Sequence, residues 1–167
     1  MSRRTAAIAV GLSAVVALAV IPALAGDQKQ SFRTDLSGFE EVPAVSSTGH
    51  GSFEANLSQD GTALEYTLSY ADLEGTDTLF AHVHLGQRSV NGGVIAFLCG
   101  GGGKPLCTDT SGTVSGTIVA ADVIGPAGQG IAAGEFEELL RGLRDDVVYA
   151  NVHTNKHPGG EIRGQVH

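Results

Sequence analysis

Three of the chain's six histidines sit in two stretches that nearly repeat one another. "FAHVHLGQ" at residues 80–87 and "YANVHTNK" at residues 149–156 each read aromatic, Ala, His or Asn, Val, His, and each is followed by Gly-Gly-x-Ile, at 92–95 and 159–162. Imidazole is a base near neutral pH and a common ligand of transition metals. On a strand, residues two apart point the same way, so His82 and His84 can meet one ion while His153, on a neighbouring strand, supplies a third nitrogen. Three protein ligands with a position left open suit zinc, and imidazole suits copper as well. Asn151, His157 and Arg163 are expected around these three. Neutral imidazole is the ligand form, so binding is expected to weaken as pH falls through about 6. Catalysis would also need a placed acid, base or nucleophile. No Ser or Thr stands in a nucleophile elbow, so the reading as an enzyme ranks below the reading as a binding or structural module.

The elements that must carry these residues alternate with a period of two. "GSFEANLS" alternates Phe53, Ala55 and Leu57, "ALEYTLSY" alternates Leu64, Tyr66, Leu68 and Tyr70, and Asp60-Gly61 between them signals a hairpin turn. Further strands are expected at 31–36, 78–85, 94–99, 112–119, 147–154 and 161–166. About eight strands joined by Gly-rich turns predict an all-β fold, a two-sheet antiparallel β-sandwich of immunoglobulin-like or superoxide-dismutase-like form. One segment differs: Phe136, Leu139, Leu140 and Leu143 fall at i, i+3, i+4 and i+7, the stripe of a short amphipathic helix packed over an edge or open end of the sheets. Parity then directs the side chains. Leu79, Ala81, Val83 and Leu85 form an apolar set that should face the core, with Val148, Ala150 and Val152 on the second echo strand and Ile162 and Val166 on the last. Phe80, His82, His84, Tyr149, Asn151 and His153 fall on the opposite, outer face, where Glu161 and Arg163 are expected to form an exposed ion pair worth at most about 1 kcal/mol.

Residues 1–25 read as a secretory signal: two arginines, a long uncharged apolar run, then Ala23-Leu24-Ala25. The apolar run is near the length of a membrane span, but the small-x-small pattern before polar "GDQKQ" favours cleavage. Arg3-Arg4 permits the twin-arginine route as well as the general secretory one. Cleavage of 25 residues from 167 leaves a single domain of 142, residues 26–167, and removes two arginines and no acids, so the net charge moves from -8 to -10. Nucleic acid is excluded as a partner, because its recognition needs clustered Lys and Arg. The expected location is secreted, periplasmic or cell-surface, with no membrane association after cleavage. Cys99 and Cys107 in "FLCGGGGKPLC" are the only two cysteines, and in an exported chain such a pair forms a disulfide. The glycine run is not a phosphate loop, since Leu98 stands where that motif needs Gly and Pro105 replaces its hydroxyl residue.

"LSGFEEVPAV", "AHVHLGQ", "NGGVIAFLCGGGGKPLC", "GPAGQGIAAGEFEELL" and the closing "YANVHTNKHPGGEIRGQV" together resemble the chordin-type, or CHRD, domain, from about Thr34 to Val166. The resemblance implies an extracytoplasmic β-sandwich domain. Chordin is secreted and sequesters growth-factor ligands, but this chain has one copy without chordin's cysteine-rich ligand-binding modules, so that activity is not implied. His157 departs from the aromatic expected before Pro-Gly-Gly. A fainter likeness, confined to one strand, is the His-Val-His of copper,zinc superoxide dismutase, whose acidic and further histidine ligands have no matching spacing here. The sequence therefore points first to an exported, non-enzymatic binding or structural module whose partner is an unidentified extracytoplasmic protein or small ligand. Its alternative is a copper or zinc protein with a three-histidine site, with redox activity as an extension.

Overall fold

The structure, a computed structural model, describes residues 29–167; the expected signal at 1–25 lies outside the described residues. Eight strands form: β1 (Ser31–Ser37), β2 (His50–Leu57), β3 (Ala63–Ala71), β4 (Thr78–Leu85), β5 (Gly93–Cys99), β6 (Gly112–Val119), β7 (Val148–Thr154) and β8 (Ile162–Gln165), with helix α1 (Phe136–Arg144) between β6 and β7. They make one antiparallel sheet in the order β5-β4-β7-β8-β1-β2-β3-β6, rather than the two separate sheets of the expected sandwich. The difference lies at β8, which pairs with β7 on one side and with β1 on the other and so joins what would have been two sheets. The continuous sheet curls into a shape close to a barrel, because its right-handed twist accumulates over eight strands.

The interior is the apolar parity set. Phe53 stands opposite Thr34 and Leu68, Ala55 opposite Tyr66, and Leu68 opposite Val114, so consecutive strands turn the same face inward. Ala81, Val83, Val148, Ala150, Val152, Ile162 and Val166 are all buried there, as parity required. Leu79 is the exception, 37% exposed, because the pairing of β4 with β7 slips between Thr78 and Phe80. The edges β5 and β6 do not pair; side chains and loops bridge them. Tyr66 donates its hydroxyl proton to the Leu98 carbonyl at 2.6 Å, and the Ile124 amide donates to the Ile95 carbonyl at 2.8 Å. Gly116 makes the first bridge possible, since a Cβ there would lie 2.5 Å from the Tyr66 hydroxyl.

Helix α1 forms as its spacing predicts, with Phe136, Leu139, Leu140 and Leu143 buried. Glu137 and Glu138 lie in its first turn and Arg141 and Arg144 in its last, which suits the helix dipole. Its Gly142 comes close to Val148 and Leu85, so the apolar stripe covers the end of the barrel where β4 finishes and β7 begins. No helix among the described residues is long and apolar enough to cross a membrane.

Cys99 and Cys107 are joined, with Cα atoms 5.0 Å apart, and the bond ties the end of β5 to the glycine loop. The loop is held again where Lys104 donates to the Thr117 carbonyl of β6 at 2.6 Å and pairs with Asp122 at 2.8 Å. Intact mass of the non-reduced protein should be two hydrogens below that of the free-thiol chain. Replacing both cysteines by serine should lower the unfolding free energy by about 2–3 kcal/mol in denaturant titration, the loop-closure contribution of so short a ring.

A buried three-histidine cluster

The two echo strands are neighbours. Antiparallel pairing sets Phe80 opposite His153, His82 opposite Asn151 and His84 opposite Tyr149. An aromatic–x–polar–x–His pattern paired with its own reverse places each terminal histidine across from the other strand's aromatic. The repeat therefore builds a local two-fold arrangement centred on His82 and Asn151. The rings pack accordingly: His84 stacks on Tyr149 at 4.6 Å and 3° between planes, Phe80 lies 4.8 Å from His153 and 5.1 Å from His82, and Phe97 of β5 meets His82 edge-on at 4.9 Å.

His82, His84 and His153 are on the face that parity assigned, but that face is not exposed. Their exposures are 5, 7 and 6%. The connections at 38–49, 86–92 and 155–161 fold over it. Asn91 donates to the Val42 carbonyl at 3.0 Å, Arg88 pairs with Glu40, and the Glu41 carboxyl packs against Gly160. Covering loops bring backbone polar groups into a dry place, where each needs a partner. The outward residues of the closing motif supply them. Arg163, only 1% exposed, donates to the carbonyls of Gln87 (3.2 Å) and Val90 (2.8 Å) and to Asn91 Oδ1 (3.2 Å). Gln165 Nε2 donates to the carbonyls of Gly86, Asp146 and Val148. Glu161 accepts from Ser47, Thr154 and the Glu74 amide, each at 2.6 Å. Burial pushes the Glu161 carboxyl up, but these bonds outweigh it and hold it below the ordinary carboxylate value. The expected exposed pair of Glu161 with Arg163 is thus replaced by two buried groups serving different loops.

Two imidazoles have their tautomers set by their own hairpins. His84 Nδ1–H donates to the Gly92 carbonyl at 2.9 Å, and His153 Nδ1–H donates to the Pro158 carbonyl at 2.9 Å. A carbonyl can only accept, so both Nε2 atoms carry lone pairs. Gly92 can have no side chain, as a Cβ would sit 1.6 Å from the Leu85 carbonyl oxygen. His84 Nε2 lies 2.8 Å from His82 Nδ1 and 3.1 Å from Asn151 Oδ1, while His82 Nδ1 lies 3.2 Å from the same Oδ1. His153 Nε2 is buried without a hydrogen-bond partner. One ligand atom from each histidine falls within 4.8 Å of the others. Of the expected neighbours, Asn151 is in this group. Arg163 stands one ring behind it, its guanidinium 3.3 Å from the centroid of Tyr149. His157 is outside it and faces Glu74, Nε2 to Oε2 3.8 Å.

Burial lowers the pKa of His82 to about 3, helped by the neighbouring His153 and His84 and opposed by Asn151. Burial likewise lowers His84 to about 4, against the Gly92 hydrogen bond, and lowers His153 against the bond to Pro158. His82 and His84 therefore stay neutral well below the pH near 6 expected from an exposed site, and His153 is shifted in the same direction. Sequence reasoning did not single out Glu41, although it lies in the quoted "LSGFEEVPAV". It is 6% exposed, and burial raises its pKa to about 7 against the pull of the nearby Arg163, the Val42 amide and the Asn151 side chain. No local pattern marks it, since only the folding of residues 38–49 over the sheet buries it.

Acid should destabilise the metal-free protein. The folded histidines titrate below their ordinary 6.5, so their stabilisation is complete above that value and is lost as pH falls from 6.5 towards 4 and 3. Each histidine protonated in the unfolded chain but not in the fold withdraws about 1.4 kcal/mol per pH unit. Glu41 opposes this, since its raised pKa stabilises the fold below its ordinary 4.5 and that stabilisation is lost as pH rises towards 7, but it is one group against three. The melting temperature should drop clearly between pH 6.5 and 4; a level profile would contradict this account. Arg163→Met should cost about 2–4 kcal/mol through its stranded carbonyl acceptors. Hydrogen exchange should then quicken at residues 86–92 before it does elsewhere.

No curated protein matches the chain. Among protein families, residues 32–166 match the CHRD domain. That span takes in both echo strands, the disulfide loop, α1 and the closing Glu161-Ile162-Arg163-Gly164-Gln165, and the chain belongs to the CHRD domain family.

Proposed function

We propose that this CHRD domain is an exported, non-enzymatic module that holds a transition-metal ion between His82, His84 and His153. One observation carries the reading: acceptors outnumber protons where the three rings meet. His84 Nε2, His153 Nε2 and Asn151 Oδ1 all bring lone pairs there, and among the described residues the one nitrogen placed to donate to the first and last of them is His82 Nδ1, while His153 Nε2 has no donor. A buried acceptor without a donor is costly, and a cation relieves several at once. Metal-bound histidines characteristically donate their second nitrogen to a backbone carbonyl, as His84 and His153 do. The disulfide, the CHRD family and the signal-like residues 1–25 support export to an oxidising compartment. A carrier or buffering role fits better than catalysis, because Phe80, Phe97 and Tyr149 wall the ring cluster and the acid on that side, Glu41, neighbours Asn151 and Arg163 rather than the imidazoles.

A second reading draws on the same carbonyl bonds: the histidines hold the two hairpins in register and bind nothing. Titration separates the two. Metal-stripped protein at pH 7 should take up one metal ion per chain, copper in its monovalent or divalent form or Zn(II), against a competing chelator. His84→Ala and His153→Ala should each weaken binding by at least about tenfold, whereas His157→Ala should leave it unchanged. Absence of stoichiometric binding, or loss confined to His157→Ala, would leave only the structural reading.

A further inference from the structure

We infer that the ion this cluster is built for is monovalent copper, Cu(I), held by three neutral imidazole nitrogens. The inference rests on the metal reading above and goes beyond it by choosing the charge and class of the ion. Ligand type does not decide, because imidazole serves zinc and both oxidation states of copper. Charge balance does. Among the described residues, the group able to hold an ion contains three histidines and no carboxylate or thiol. All three are buried, and the free energy of taking an ion out of water rises with the square of its charge. A divalent ion in such a place needs anionic ligands to offset that cost.

The surroundings supply none to spare. The Arg163 guanidinium sits 3.3 Å from the Tyr149 centroid, and the same ring stacks on His84, so a fixed positive charge stands one ring behind a ligand. The one negative charge that Glu41, the buried carboxyl on that side, can supply is offset by the nearby Arg163. Ionised or not, Glu41 leaves no surplus negative charge for a second positive unit on the metal. Coordination number argues the same way. Zinc held by three protein ligands keeps a water or hydroxide as its fourth. Here the rings of Phe80 and Phe97 wall the cluster, and the oxygen that reaches it is the uncharged amide of Asn151. Cu(I), with its filled d shell, is satisfied by three nitrogens.

The test is a comparison of affinities on the whole metal-stripped protein under anaerobic conditions. Cu(I) is delivered with bicinchoninate as competitor, and Zn(II) and Cu(II) with chelating dyes. Cu(I) should be held at least about 100-fold more tightly than Zn(II), with X-ray absorption of the loaded protein showing three nitrogen donors. Asn151→Asp, which adds a negative charge beside two of the rings without changing their number, should cut that ratio by about tenfold or more. Tighter binding of Zn(II) or Cu(II) than of Cu(I), or an unchanged ratio in Asn151→Asp, overturns the choice of Cu(I) and leaves the metal reading standing. Failure to hold any of the three ions overturns both.

Discussion

A single buried guanidinium organises the functional side of this domain. Arg163 reaches from β8 under the connection at 86–92 and donates to two of its carbonyls and one of its side chains. That connection carries Gly92, whose carbonyl fixes the tautomer of His84. The same guanidinium packs against Tyr149, the ring on which His84 is stacked, and faces the buried Glu41. A planar fork suits this task where an ammonium would not, because it can hydrogen-bond at its rim while its face rests on an aromatic ring.

The sheet consequently has two cores of opposite character. Its concave side is packed with Phe32, Phe53, Leu64, Leu68 and Ile118 and relies on apolar burial. Over β4, β7 and β8 the other side is buried too, but beneath loops, and its polar residues are His, Asn, Arg and Gln on the strands and Glu161 just before β8. The polar residues answer the backbone groups of the covering loops, and a network of this kind is stable only while its members stay satisfied. In the ring cluster three acceptor atoms converge and His153 Nε2 is left without a partner; Glu41 Oε1 and Gln165 Oε1 are unpartnered elsewhere in the network, but neither has three imidazoles around it.

The internal echo has a geometric cause. Two hairpins that share one pattern and pair antiparallel place like residues at symmetric positions, so His84 and His153 are each pinned by a carbonyl of their own hairpin and each face the other strand's aromatic. His82 and Asn151 occupy the centre, where the symmetry breaks: one offers a ring nitrogen and the other an amide oxygen. Neither hairpin alone brings three imidazoles together.

Period and spacing along the chain account for several of these features. Alternation placed Ala81, Val83, Ala150 and Val152 inside and the three histidines together on the other face, since a one-residue slip would exchange the two sets. Helical spacing located α1, and the short interval between Cys99 and Cys107, in a chain whose first 25 residues read as a signal, pointed to the disulfide. Tertiary structure alone decided that the strands form one curled sheet, because β8 joins β1 through contacts far apart in the chain. It also decided that the histidine face is buried. Strand parity says which way a side chain points but not what lies there, and the cover comes from distant loops. Glu41 enters the site for that reason alone: its role depends on where the chain returns, which no local pattern encodes, whereas Gly92 and Pro158 lie in the hairpins that carry the echo.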